Sequence, residues 1–260
     1  MKINILTLFP EMFSPLHESM IGRAIDNGII EIKTIDIREY TEDKRRKVDD
    51  TPFGGGAGMV MQVQPIIDAF RQNDIKGRTI YMSPRGRLLT GELAEELSRE
   101  DEISILCGHY EGVDQRALDA IGAEEVSIGD YVLTGGELPA MVMIDALARF
   151  IDGVLGGETS MDEESIYSGL LEYPQYSKPR ETEQGVVPEI LLSGNHKEIA
   201  LWRWKESLRL TAERRPDLLE KYMEERLSED APKLSKGEVK VLEELGLLPE
   251  GYDRNRRGKR

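Results

Sequence analysis

Two glycine-rich segments near the middle of the chain limit what it can fold into. One spans residues 107–116, CGHYEGVDQR, and the other spans residues 127–150. In each segment a short apolar run meets glycines and then a helical pattern. Glycine lets bare backbone approach a ligand closely and lets φ become positive. We therefore expect two loops beside one sheet edge, forming a small-molecule pocket whose walls are mostly main chain.

Strand and helix patterns alternate from the N-terminus to about residue 155. The patterns predict strands over 3–8, 30–37, 79–82, 103–107 and 125–133, and helices over 11–27, 64–72, 90–99, 114–121 and 137–151. This alternation is typical of an α/β domain with a mostly parallel sheet. Ligands on such sheets bind beyond the carboxyl ends of the strands, which is where both glycine-rich segments fall.

The pattern changes in the second half of the chain. Residues 156–188 are polar and contain several Gly and Pro residues, and from residue 194 onward only helices are predicted, over 196–214, 216–227 and 235–246. Pro216 suits the first turn of its helix. We therefore expect an α/β domain over 1–160, an interdomain linker over 161–177 and a small all-helical domain over 178–260.

Charge and composition limit the class of protein. The 260 residues carry a formal net charge of −15, which argues against simple charge-driven binding of nucleic acid, although basic clusters occur at 44–47, 203–215 and 254–260. The single cysteine, Cys107, excludes an intrachain disulfide. Neither a signal peptide nor an apolar stretch long enough to cross a bilayer is present, so a cytoplasmic protein is expected.

Several familiar motifs are absent. The glycine run at 54–58 is not followed by the Lys-Ser/Thr of a phosphate-binding loop, and no G-x-G-x-x-G follows the first strand. The three histidines lack the spacing of zinc ligands, and no G-x-S-x-G nucleophile motif occurs. These absences argue against a nucleotidase, a dehydrogenase or a serine hydrolase, and no metal site is predicted.

Two polar features stand out against this background. Arg149 lies in an otherwise apolar helical pattern, where a cation needs an anion or a polarised oxygen as partner. Asp145, four residues earlier, could be that partner, so from the residues alone a structural ion pair and a ligand contact are equally supported. Three acids, 162–164, precede Ser165 and on their own indicate only a solvated run or a helix start.

The chain resembles the TrmD family of bacterial tRNA (guanine-N1)-methyltransferases, in the SPOUT superfamily. The resemblance runs from residue 3 to about residue 246 and rests on motifs in a fixed order. They include DDTPFGGG at 49–56, CGHYEG at 107–112, IGDYVLTGGELP at 128–139, LSGNH at 192–196 and RRPDLL at 214–219. Matches of this length and order are far more specific than any single short motif.

The resemblance implies a fold and a cofactor. It implies that the α/β domain contains a deep trefoil knot, whose loops hold S-adenosyl-L-methionine, and that the helical domain binds tRNA. It also implies a homodimer whose active sites are shared between chains, and methylation of N1 of guanine at tRNA position 37. The cofactor-binding positions that match are Tyr81, Ser83, Pro84, Gly108, Tyr110, Glu111, Ser127, Ile128, Gly129, Asp130, Tyr131, Val132, Leu133, Gly135 and Gly136.

The resemblance also implies catalytic roles. Arg149 matches the family arginine that faces guanine O6, and a carboxylate just before a serine matches the general base. The family has Asp at that position, whereas this chain has Glu164 before Ser165. We prefer Glu164 as the base, with Asp162 as the alternative, and the family further implies a contribution of Mg²⁺.

The basic clusters acquire a role through the same resemblance. The expected tRNA phosphate contacts are Lys44, Arg45, Arg203, Arg209, Arg214 and Arg215. Three other functions stay open: a SPOUT methyltransferase with another RNA target, a non-catalytic RNA-binding protein of the same fold, and a small-molecule α/β enzyme. The first would methylate a different nucleotide, the second would bind cofactor without transfer, and the third would leave the basic helices unexplained.

Overall fold

The computed structural model of the protein describes residues 1–155, 166–228 and 230–252. The chain divides into two compact units, Met1–Gly156 and Gly157–Arg260. The domain bounds expected from the sequence, including the linker over 161–177, stay a prediction, because residues 156–165 lie outside the described ranges.

The N-terminal unit is built on a five-stranded sheet in the order β2-β1-β6-β5-β7. All neighbouring strands in it are parallel, which confirms the predicted α/β class. A separate antiparallel ribbon is formed by β3 and β4. The strands are β1 Lys2–Thr7, β2 Glu31–Asp36, β3 Asp49–Asp50, β4 Val60–Met61, β5 Arg78–Leu88, β6 Glu102–Leu106 and β7 Glu124–Ser127.

Helices cover both faces of this sheet. They are α1 Ser19–Asp26, α2 Val63–Gln72, α3 Gly91–Ser98, α4 Gln115–Ile121 and α5 Glu137–Ala148. Side chains of α1, α3 and α5 pack with Ile3 and Ile105 on one face, while α2 and α4 pack with Leu6 and Leu106 on the other. Because a parallel sheet is covered on both sides, β1 and β6 are buried on both faces, including the polar residues Asn4 and Ser104.

The N-terminal helix differs from the prediction. The single helix expected over 11–27 is a 3-10 helix, Pro10–His17, followed by α1. Pro15 lies inside the first piece and has no N–H to donate, which disfavours an α-helical ladder there. Glu18 is extended and Ser19 has a φ of +57°, so the chain changes direction before α1 begins.

Two strands end at positions that matter for the glycine-rich segments. β7 ends at Ser127 rather than at 133, and residues 128–133 form a loop in which Gly129 has a φ of +149°. β5 continues to Leu88, six residues beyond its predicted end. The carboxyl ends of β5, β6 and β7 therefore present three irregular segments at one sheet edge.

The C-terminal unit contains the predicted helices. α6 spans His196–Arg214 and α7 spans Pro216–Leu227, as predicted, and α8 spans Lys236–Glu244. They pack around a small apolar core that includes Leu208 and Leu242, and a capping box between Ser235 and Glu238 begins α8. Pro216 stands in the first turn of α7, where its missing N–H costs nothing.

The all-helical description of residues 178–260 needs one correction. A short hairpin precedes the helices, with β8 at Glu181–Thr182 and β9 at Gly185–Val186. The Thr182 hydroxyl accepts a hydrogen bond from the Gln184 N–H at 3.2 Å, and Gly185 has a φ of +146°. The turn depends on residues close together in the sequence. Strands of only two residues, however, are too short to show the alternation of apolar and polar residues that predicts a strand.

Across the described ranges, no helix has both the length and the apolarity that a bilayer crossing requires.

Candidate active site

A cavity of about 220 Å³ lies in the N-terminal unit, beyond the carboxyl ends of β5, β6 and β7. It is bounded by the segments that follow these three strands and by the first residues of α5. The lining residues are Tyr81, Met82, Ser83, Pro84, Gly108, His109, Tyr110, Glu111, Gly112, Val126, Ser127, Ile128, Gly129, Tyr131, Val132, Leu133, Thr134, Gly135, Gly136 and Pro139. Parallel sheets commonly bind ligands at this edge.

The wall from β5 depends on a bulge in the ladder. β5 pairs with β7 up to Met82 opposite Val126, and pairing resumes with Arg87 opposite the same Val126. Residues 83–86 are therefore looped out of the ladder, and the buried Ser83 faces the cavity beside Pro84. Gly86 allows the loop to close, since a Cβ there would lie 2.2 Å from the Glu125 carbonyl carbon.

The wall from β6 is the loop 107–112. Gly108 lies against Tyr81, and a Cβ on it would stand 2.8 Å from the Tyr81 ring. The loop turns through Tyr110 at a φ of +60° and Gly112 at +128°. Burial raises the pKa of Tyr81, so its phenol stays neutral and serves as a wall of the cavity. Burial likewise raises the pKa of the Cys107 thiol, which is fully buried in the core beneath this loop.

The third wall is the loop between β7 and α5. The Ser127 hydroxyl accepts from the Gly129 N–H at 3.1 Å, and the Tyr131 N–H donates to the Gly129 carbonyl at 2.9 Å. At the far end of this loop, the Gly136 N–H donates to the Gly108 carbonyl at 2.9 Å. The two glycine-rich segments are thus joined main chain to main chain, at the one sheet edge where the sequence predicts both loops.

Among the predicted cofactor-binding residues, only Asp130 is not brought to the cavity. It stands at the centre of the tight turn closed by Tyr131 and Gly129, and its side chain is exposed. Sequence reasoning missed Met82, His109, Gly112, Val126, Thr134 and Pro139 as lining residues. Each lies within a quoted motif or next to a predicted residue, so contiguity with predicted residues was the available signal.

Glu111 lies exposed at the cavity rim and contacts the glycine run 54–58. Its N–H donates to the Met59 carbonyl at 2.9 Å, and a Cβ on Gly58 would stand 2.3 Å from its carboxylate oxygen Oε1. The Met61 N–H donates to the Gly112 carbonyl at 2.9 Å. The glycine run is thus tied to the rim of the cavity at its C-terminal end.

Of the predicted catalytic residues, Arg149 lies within the described ranges. Arg149 caps the C-terminal end of α5 and is half-buried. Asp145, its possible ion-pair partner, is exposed on the same helix. Glu164 and Asp162, the two predicted bases, lie outside the described residues.

The predicted phosphate contacts differ in how accessible they are. Lys44, Arg45 and Arg214 are exposed. Arg209 is 2.9 Å from a Glu206 carboxylate oxygen, and Arg215 is 2.6 Å from one of Asp217. Arg203 is half-buried, and its guanidinium lies 4.7 Å from the centre of the Tyr173 ring. The guanidinium therefore packs against an aromatic face.

No group of three or more His, Cys, Asp or Glu side chains suited to hold a metal ion occurs within residues 1–155, 166–228 and 230–252.

Comparison with known proteins adds an independent observation. The family model of the tRNA (guanine-1)-methyltransferase TrmD matches residues 1–221. A Clostridium perfringens protein named tRNA (guanine-N(1)-)-methyltransferase is 52% identical over 244 residues, covering 93% of this chain and 99% of its own length. Proteins of the same name from Ruminiclostridium cellulolyticum and Alkaliphilus oremlandii are each 54% identical, over 226 and 233 residues. They cover 85% and 86% of this chain, and 97% and 94% of their own lengths.

Proposed function

The chain belongs to the TrmD family of tRNA (guanine-1)-methyltransferases, and from this premise we propose that it methylates N1 of the guanine at tRNA position 37, next to the anticodon. The methyl donor is S-adenosyl-L-methionine. The observation that carries the proposal is the cavity beyond β5, β6 and β7, which lies within the residues that match the family.

The chemistry of the cavity fits this donor. Glycines at 108, 112, 135 and 136 place no side chain between the cavity and the main chain, so an adenine or an amino-acid group can approach peptide N–H and C=O groups of the surrounding loops. Apolar side chains such as Ile128 and Leu133 offer contact to a flat ring. When bound, S-adenosyl-L-methionine supplies a methyl group on a positively charged sulfur that a nitrogen lone pair can attack.

The acceptor nitrogen requires a base. Guanine N1 carries a proton and becomes a good nucleophile only when the proton leaves, so a carboxylate within hydrogen-bond reach accelerates transfer. We assign this role to Glu164, with Asp162 as the alternative. Negative charge then develops on O6, where Arg149 as a fixed cation lowers the barrier. The described residues offer no three-ligand group for Mg²⁺, and no step of this scheme depends on the ion.

The position of Arg149 supports an active site shared between two protomers. α5 begins beside the cavity at Glu137 and has 12 residues. Pro139 in its first turn lines the cavity, and Arg149 follows ten residues later, about 15 Å along the helix, so it stands well away from the cavity of its own chain. We infer that Arg149 of one protomer serves the cavity of its partner. Leu138 and Val142, one helical turn apart on α5, are 49% and 48% exposed, which suits a surface that a second copy covers.

The tRNA is the macromolecular partner in this proposal. Lys44, Arg45 and Arg214 are exposed cations that can contact phosphates, while Arg209 and Arg215 must exchange an acidic partner for a phosphate. Arg203 would act through packing against Tyr173. We also propose that the loops after β6 and β7 are threaded as a trefoil knot, consistent with the direct Gly136–Gly108 hydrogen bond between them.

Methyl transfer from labelled S-adenosyl-L-methionine to two tRNA transcripts tests the proposal. One transcript carries guanine at position 37 and the other carries adenine there. We expect label only in the first, at N1 of that guanine. Label in both transcripts would show that the enzyme methylates a nucleotide other than the guanine at position 37. Binding of the donor without transfer would favour a non-catalytic RNA-binding protein.

A further inference from the structure

A buried carboxyl group lies at the junction of the two glycine-rich segments. Glu137, the first residue of α5, is 1% exposed. Its Oε1 accepts a hydrogen bond from the Thr7 hydroxyl at 2.7 Å, and its Oε2 is hydrogen-bonded to Nε2 of His109 at 2.7 Å. Three separate parts of the chain therefore meet at one side chain: the end of β1, the loop 107–112 and the start of α5.

His109 is held from other directions as well. Its ring packs on Phe9 with 4.8 Å between ring centres, and its backbone N–H donates to the sulfur of Met61 at 3.3 Å. His109 also lines the cavity, between Gly108 and Tyr110. The hydrogen bond to Glu137 therefore fixes a residue whose neighbours on both sides form the cavity wall.

The glycines before Glu137 are explained by the same arrangement. A Cβ on Gly135 would stand 2.3 Å from Nε2 of His109 and 2.6 Å from Oε2 of Glu137. A Cβ on Gly136 would stand 2.7 Å from the Cα of Cys107. Residues without a side chain at both positions let the loop and the helix start approach within hydrogen-bonding distance. The pair of glycines thus serves the contact between His109 and Glu137 as well as the cavity itself.

The energetic consequence follows from burial. A buried polar group that loses its hydrogen-bond partner costs free energy because water cannot replace the partner. Removing either the Thr7 hydroxyl or the His109 ring would leave a carboxyl oxygen of Glu137 unsatisfied. The three side chains therefore act as a unit, and the loop 107–112 has one preferred position against α5.

We propose that Thr7, His109 and Glu137 form a clasp that holds the loop 107–112 in the position required to bind the methyl donor. All three are positioning residues for the transfer reaction. The inference rests on the proposed function, because it takes the cavity to be the donor site. It states that the affinity for S-adenosyl-L-methionine depends on two side chains that do not line the cavity, those of Thr7 and Glu137.

Binding of S-adenosyl-L-methionine to the full-length protein, measured by titration calorimetry, tests the clasp. Thr7→Val removes one hydroxyl at nearly constant volume, and we expect about 3- to 10-fold weaker binding. Thr7→Ser keeps the hydroxyl and should recover most of that loss. Glu137→Leu removes both acceptors, and we expect a loss of about tenfold or more. Thr79→Val, at the buried amino end of β5, is the matched control and should leave the affinity unchanged.

A double-mutant cycle separates positioning from general stability. If Glu137 acts through His109, then Glu137→Leu should weaken binding much less in a His109→Ala background than in the wild type. Steady-state kinetics should show a raised KM for the donor and an unchanged KM for tRNA. A lowered melting temperature with unchanged donor affinity in Thr7→Val and Glu137→Leu would overturn the clasp.

The two proposals fail in different ways. A wild-type protein that does not bind S-adenosyl-L-methionine overturns the proposed function and the clasp with it. A wild type that binds and transfers, while Thr7→Val binds as tightly, overturns the clasp alone. If Glu137→Leu does not fold, the comparison of Thr7→Val with Thr7→Ser still decides.

Discussion

The cavity proposed to bind the methyl donor differs in construction from the surface predicted to contact tRNA. The cavity is lined by three tight loops, in which several positions accept only glycine. The tRNA contacts predicted in the C-terminal unit are charged side chains on and next to helix α6, and some of them already pair with acids or pack on an aromatic ring. A single change should therefore disable the cavity, whereas the charged surface should lose affinity in small steps.

The largest effect is expected at Glu164, which is assigned neither to the cavity lining nor to the tRNA contacts. Glu164→Gln keeps the shape of the side chain but removes the proposed base. Since general base catalysis contributes about 10²–10⁴-fold, we expect kcat to fall by that factor while the donor binds normally. Single-turnover transfer to the guanine-37 transcript, together with calorimetry, measures both quantities. Asp162→Asn is the matched control, and a reversal of the two results would make Asp162 the base.

A glycine substitution in the cavity can also test whether each active site is shared between two protomers. Gly136→Ala places a Cβ 2.7 Å from the Cys107 Cα, and we expect it to abolish donor binding. Arg149→Ala should bind donor but lose about 10²–10³-fold in transfer. Mixed and refolded together, the two variants should recover about a quarter of wild-type activity, because half of the random dimers contain one intact site of two.

Absence of recovery in that mixture would place Arg149 and the cavity in the same chain. Gly122→Ala is the matched glycine control: it has a φ of +62° and no atom within 4 Å of the added Cβ. It should cost about 1–2 kcal/mol of stability without changing donor affinity. Thermal melts read beside calorimetry separate these two effects.

The charged surface should give the smallest response. Replacing Arg214 and Arg215 together by Ala should weaken tRNA binding several-fold and reduce the dependence of affinity on salt concentration. Arg214→Ala alone should account for most of the change, because Arg215 is already paired with Asp217 at 2.6 Å. Filter binding at several salt concentrations measures the slope, and Lys240→Ala on α8 is the control. An unchanged slope in the double variant would remove these two residues from the tRNA surface.

The glycine-rich segments show how far the sequence predicts the site. Glycines mark backbone that must bend or approach closely, so residues 108, 129, 135 and 136 could be identified without coordinates. Which neighbours turn toward the cavity could not be identified. Asp130 turns to solvent in a tight turn, and His109 turns inward toward Glu137. Side-chain direction in an irregular loop depends on contacts that no periodicity records.

The charged residues show what the sequence does not predict, namely which groups their side chains contact. A cluster of arginines predicts a basic surface, but it does not reveal that Arg203 packs on Tyr173 or that Arg209 pairs with Glu206. Acidic residues are common throughout this chain, and the pairing of exposed charges is settled by which of them are neighbours after folding.

The sequence by itself determined the alternation of strands and helices, the positions of α6 and α7, and the place of the glycine loops after strands. These properties depend on residues close together in the chain, through apolar spacing, capping and backbone freedom. Only the tertiary structure decided the order β2-β1-β6-β5-β7 and the meeting of Thr7 with Glu137, which are 130 residues apart. Contacts at that separation form because a common core brings distant segments together, and no local pattern encodes which partner each side chain finds.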